Sequence, residues 1–198
     1  MTTTTIRLTI NLQGRYCNHW PRARISVNDD TLFDGEVEKL VQLDFTINAQ
    51  DQNRLCIEHY GKQFGEGGIY DCTADQSQDC VLTIKDIQFE HITIGKELMS
   101  KLFFKPSWTE AQRETMTSES LEAMSKISCA NEMDQVHFDM NFNGILELDF
   151  ELPILNWLTI AKYKIPVVDG TYFSNYSLRW HYEEDLKVLK EIKKLLNP

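Results

Sequence analysis

Ile6, Leu8, Ile10 and Leu12 alternate with polar residues, and a period of two puts them on one face of a β-strand. The same alternation returns in Val37, Val41, Leu43, Phe45 and Ile47, with one break at Lys39. Shorter β segments are expected over 23–27 after Pro21, over 54–60, over 81–89 and over 91–94 before Gly95. Asn, Asp and Gly divide these runs, and no helical period occurs before residue 107. Parallel strands need crossover helices, so the pattern predicts an antiparallel β-sandwich, jelly-roll-like in its spacing.

The period changes in SWTEAQRETMTSESLEAMSKISCA, residues 107–130. Ser107 and Glu110 have capping-box spacing, and Met116, Leu121, Met124 and Ile127 give an imperfect helical stripe, which predicts one or two short helices. In VHFDMNFNGILELDFEL, alternating residues run through Phe138, Met140 and Phe142 into Asn143-Gly144 and out through Leu146, Leu148, Phe150 and Leu152. A hairpin with a tight turn is expected there, followed by β segments near 154–160 and 172–180. The closing stretch, YEEDLKVLKEIKKLLNP, carries Leu186, Leu189, Ile192 and Leu196 on one helical stripe, with acids first and lysines last, as a helix dipole favours. Three parts are therefore expected: a sandwich over 1–100, a helical connector over 101–135, and a small helix-linked β extension over 136–198 ending in the amphipathic helix. The extension is too short to bury a core alone. It is expected to dock on the sandwich, on a second copy of the chain or on another protein, and its stripe either covers its own domain or, in the sharper expectation, packs against a neighbouring subunit.

Composition narrows the partners. Of 198 residues, 42% are apolar, enough for a real core, and the formal charge of −10 repels phosphate backbones and anionic lipid. The one basic cluster is Lys187, Lys190, Lys193 and Lys194, so nucleic acid is not an expected ligand. The start, MTTTTIRL, lacks the pattern of a secretory signal, and no apolar run reaches the roughly 18 residues of a membrane span; synthesis in a cytoplasm without membrane insertion is expected. The cysteines, Cys17, Cys56, Cys72, Cys80 and Cys129, show no C-x-x-C spacing. Most are expected as buried thiols, with Cys72 and Cys80, which bracket a loop, as the pair able to bridge in an oxidising setting.

That loop, KQFGEGGIYDCTADQSQ between Gly61 and Asp79, is the most site-like stretch. It holds the aromatics Phe64 and Tyr70 and the carboxylates Asp71 and Asp75, with Asp79 at its end; the spacing of four lets the three acids converge on one cation. A second acidic group, Asn28, Asp29, Asp30, Asp34 and Glu36, lacks the alternating spacing of a calcium loop, and hairpin-turn chemistry is its expectation. Glu147, Asp149 and Glu151 share one strand face, where a glycosidase pair could stand but a solvated sheet face puts acids anyway. His19, His59, His91, His137 and His181 match no catalytic motif. Trp20, Trp108, Trp157 and Trp180 lie beside strands and are expected in the core, with sugar stacking as the alternative. No enzyme activity is expected.

The stretches ARISVNDD, LCIEHYGK and CVLTIKDIQFEHITIG, the last following the acidic loop, resemble the calcium-dependent, xylan-binding class of carbohydrate-binding modules. That resemblance implies calcium held by Asp71, Asp75 and Asp79, with Phe64 and Tyr70 against a host cell-surface glycan. One step departs from the pattern, since Tyr60-Gly61 stands where those modules carry Asn-Asp. The second half, with MNFNG, an acid-alternating strand and ELPILNWL, is similar to uncharacterised proteins of contractile-tailed phages of marine cyanobacteria. This second resemblance implies a non-enzymatic structural or attachment protein of the virion, in the tail, baseplate or fibre apparatus, assembled in the host cytoplasm and bound to other virion proteins or to itself; that is the main expectation, with the glycan-binding module as its alternative.

Overall fold

A computed structural model describes residues 4–62, 79–94, 98, 102–129, 138–155, 157–158, 167–168 and 171–172. In chain order the strands are β1 (Thr4–Arg15), β2 (Arg22–Val27), β3 (Asp30–Glu36), β4 (Leu40–Ala49), β5 (Gln52–Tyr60), β6 (Val81–Phe89) and β7 (Ile92–Thr93). After these come β8 (Phe103–Pro106), the helices α1 (Glu110–Thr115) and α2 (Ser118–Ala123), then β9 (Ile127–Ser128), β10 (Phe138–Met140) and β11 (Gly144–Glu151). A two-stranded ribbon, β12 (Val167–Val168) and β13 (Thr171–Tyr172), closes the list of described elements.

The strands form an antiparallel β-sandwich. One sheet has the order β10-β6-β1-β4, with β7 paired to β6; the other runs β3-β2-β5-β11-β8-β9. The inward residues of β1 (Ile6, Leu8, Ile10, Leu12) meet those of β2 (Ala23, Ile25, Val27), β5 (Leu55, Ile57) and β11 (Leu146, Leu148, Phe150) in one apolar cluster. Aromatic rings fill its widest parts: Phe89 lies 4.8 Å from Phe150 and 5.9 Å from Trp157, and Phe104 lies 5.8 Å from Phe138. Trp157 therefore serves the core, as expected of its place beside a strand. Gly14 is needed where the β3–β4 connection crosses β1, because a Cβ there would stand 1.9 Å from the carbonyl oxygen of Val37.

The acidic group at 28–36 is a hairpin, as its turn chemistry predicts. Val27 pairs with Asp30 across Asn28-Asp29, Asn28 takes φ +55°, and its backbone N–H donates to the carbonyl of Arg54 at 2.8 Å.

The second half departs from the expected plan in four ways. The hairpin over 136–152 is an arch: β10 pairs with β6 in one sheet and β11 pairs with β5 and β8 in the other. Alternation fixes which residues face the core, and an arch between sheets satisfies it as well as a hairpin does. Gly144 is accordingly not a positive-φ turn residue; it is small because a Cβ would stand 2.4 Å from the Lys105 carbonyl and 2.6 Å from the Phe104 ring. The boundary expected near residue 100 is crossed by the strands, since β8, β9, β10 and β11 are parts of the two sheets. The helix cap is Thr109 with Gln112, whose side chains and backbones bond reciprocally, and not Ser107 with Glu110. Finally, residues 154, 155, 157 and 158 are helical where a strand was expected, with the Trp157 N–H donating to the Pro153 carbonyl. The stripe Leu186, Leu189, Ile192 and Leu196 lies outside the described residues.

Candidate binding site at the loop end of the sandwich

Strand register brings four connections to one end. Arg22 pairs with Tyr60, Arg15 with Val81, and Gly144 with both His59 and Pro106. The segments 16–21, 61–62, 79–80, 107–109 and 141–143 therefore share that end, and the loop between Lys62 and Asp79 leaves from it. Phe64, Tyr70, Asp71 and Asp75 lie outside the described residues. The 28–29 turn is at the opposite end of β2, so the two acidic stretches are not neighbours.

The ends of the loop are locked by a buried charge pair. Gly61, with φ +78°, bends the chain after β5, and the Lys62 ammonium donates to Asp79 Oδ2 and to the Asn141 carbonyl, each at 2.6 Å. Asp79 Oδ1 lies equally close, 2.6 Å from the ammonium, without a hydrogen bond of its own. The two side chains are 0% and 6% exposed, so each is the other's principal solvation. Asn143 grips the Lys62 backbone from the arch: its Oδ1 accepts from the Lys62 N–H, and its Nδ2 donates to the Lys62 carbonyl, both at 2.9 Å. The Phe142 ring lies 6.0 Å below the ammonium, and Trp108 packs edge-on against that ring at 4.8 Å.

His59 completes this floor. Its Nδ1 donates to the carbonyls of Met140 and Phe142 at 3.0 and 3.1 Å. Carbonyls only accept, so Nδ1 carries the proton, and a neutral ring leaves buried Nε2 as a bare acceptor with no hydrogen bond. Burial, reinforced by the Lys62 charge, pushes its pKa down to about 4.

Asp79 is the one proposed calcium ligand among the described residues, and there its carboxylate already neutralises Lys62. No group of three His, Cys, Asp or Glu among the described residues could hold a metal ion. Cys80 and Cys129 are buried thiols, as expected of most of the cysteines, whereas Cys17 is disulfide-bonded; Cys72 lies outside the described residues. Cys80 Sγ lies 3.9 Å from His19 Nδ1, and that nitrogen also faces the Trp20 carbonyl at 3.0 Å.

Beside the loop base, Tyr16 is 55% exposed and meets Trp20 edge-on at 5.1 Å. On the outer face of β5 and β2, Tyr60 donates to Asp34, and the guanidinium carbons of Arg22 and Arg24 each stand 5.1 Å from its ring centre. The Asp34 carboxyl is held below its ordinary range, first by the Tyr60 hydroxyl and then by Arg24. Farther along that face Glu147 pairs with Lys105 and Asp149 with Arg54. These acids are a solvated sheet face with cross-strand partners, each bound to its own cation.

Lys62, Asn143 and Tyr16 carry no pattern that would single them out in the sequence. Lys62 reads as the first residue of a polar loop, and Asn143 reads as half of an Asn-Gly turn.

Fold and site together define an antiparallel β-sandwich that joins Lys62 and Asp79, the residues flanking 63–78, at one end of the sheets. Among solved structures, the chain is similar to the calcium-dependent carbohydrate-binding module vCBM60. Its selenomethionine form gives a TM-score of 0.40 at 11% identity over 73% of this chain and 89% of that one. Its complex with galactobiose gives 0.38 at 11% identity over 71% and 95%. No family model and no curated protein matches the sequence.

Proposed function

We propose that the protein is a non-catalytic recognition module that binds a glycan through the loop between Lys62 and Asp79. The observation that carries this reading is the buried Lys62–Asp79 pair. Burying two charges is costly and adds little net stability, so its effect is to fix where the loop begins and ends. The loop so held contains Phe64 and Tyr70, rings of the kind that stack on sugars, and Tyr16 stands exposed beside its base. Calcium, in this reading, is held by Asp71 and Asp75, with Asp79 shared between the ion and Lys62. The alternative, attachment within a phage particle, rests on MNFNG and ELPILNWL. The structure gives the first of these a local task, since Asn141 and Asn143 hold Lys62.

Affinity electrophoresis in gels containing xylan or galactan, with and without calcium, tests the proposal, with galactobiose as a soluble competitor. Retarded migration that Phe64→Ala with Tyr70→Ala abolishes is the expected result. Unretarded migration on both polysaccharides, together with no signal on a broad glycan array, would overturn it.

A further inference from the structure

Along one side the sandwich is open. β3 and β4 are the outermost strands of their sheets there, and each has one strand neighbour among the described residues, β2 and β1 respectively. Their inward side chains Phe33, Val41, Leu43 and Phe45 are half-buried, whereas the inward residues of β1 and β2 are fully buried. Leu32 joins this strip at the β2–β3 irregularity. The rim of the opening carries four exposed acids, Asp29, Asp30, Glu36 and Glu38, against one exposed cation in the same turns, Lys39, and none of the four acids enters an ion pair among the described residues.

We infer that this edge is the seat of the chain's own C-terminal segment, residues 182–198. Charge and pattern select that occupant. The segment places Lys187, Lys190, Lys193 and Lys194 beside the apolar stripe Leu186, Leu189, Ile192 and Leu196, so an apolar strip with an acidic rim meets an apolar stripe with a basic border. A short amphipathic helix is marginal in water until its stripe is covered, and the strip needs the same cover. Reach is ample: on either side of the β12–β13 ribbon, the stretches 158–167 and 172–182 extend to roughly 30 Å and 35 Å. A second copy is a poorer occupant. A two-fold contact sets a patch against itself, which would bring the four rim acids of one chain against the same acids of the other.

Zero-length carbodiimide cross-linking of the full chain, mapped by peptide mass in a mixture of isotopically light and heavy protein, tests the inference. Links between the rim acids and the four lysines within one chain are the expected result. They should disappear in the full-length Leu189→Asp, Ile192→Asp variant, which should also bind more of a hydrophobic dye. Wild-type protein that yields no such links, or yields them between light and heavy chains, overturns the inference. A folded variant that keeps the links does so as well. Should the variant fail to fold, the wild-type map decides alone. None of this depends on glycan binding, so loss of sugar affinity and loss of the cross-links are separate results.

Discussion

His59 is a base whose surroundings keep it uncharged. An unfolded chain protonates this ring near pH 6.5, but the folded chain does so only near pH 4. The unfolded state therefore binds the extra proton between those values, and stability falls with acid across that window, by about 1.4 kcal/mol per pH unit. His59→Asn keeps a donor near the position of Nδ1, and denaturant midpoints from pH 7 to pH 4 should then lose most of this slope. Asp44 works at lower pH. The Thr9 hydroxyl, Gln42 and Arg7 hold its pKa down to about 2, so its contribution is present above pH 3.8 and is lost as pH falls through 2. At Lys62, removing the ammonium strands a buried carboxylate. Lys62→Met should cost about 3–5 kcal/mol, while Lys62→Met with Asp79→Leu should recover much of that loss. Equal losses in the single and double variants, read by urea denaturation, would show that the pair is not the lock described.

At the scale of elements, the arch between β10 and β11 has the least slack. Gly144→Ala forces a Cβ against backbone on one side and a buried ring on the other, and should destabilise by about 1–3 kcal/mol or more. The outer-face acids make the contrast: Glu147→Gln and Asp149→Asn break surface pairs worth about 0–1 kcal/mol each and should leave sugar binding unchanged. Loss of binding in either variant would move the site off the loop. The arch also shows where sequence pattern stops. Period two told which residues of β1, β4, β10 and β11 face the core, because burial imposes that period directly. It did not distinguish hairpin from arch, since pairing partners are chosen by contacts between residues far apart in the chain. β8 went unread for a related reason: FFKP is too short to show a period, and Gly144 and Leu146 supply its partners. The loop read from composition between Lys62 and Asp79 lies outside the described residues, and the charge pair at its two ends was not legible. A lysine and an aspartate separated by a loop signal nothing until Asn141 and Asn143 arrive from the other half.

At the scale of the whole molecule, the two β regions read from the sequence contribute strands to one pair of sheets. β5 sits between β2 and β11, and β6 between β1 and β10. A chain cut after residue 100 would lose β8, β9, β10 and β11 and bare one edge of each of those strands, so it should aggregate on expression, whereas 1–158 keeps both sheets paired. Comparing the soluble yield of the two fragments checks this.

The same interleaving sets a timetable on the ribosome. Tyr60 leaves the exit tunnel ~90 residues before Glu151, and at common elongation rates β5 then waits roughly 5–20 s for β11. During that wait its unsatisfied edge and the Leu55 and Ile57 side chains are open to any passing strand. A chaperone that shields nascent chains would have its brief and principal task here, and slow codons placed after β11 would help folding while the same codons placed before it would prolong the danger.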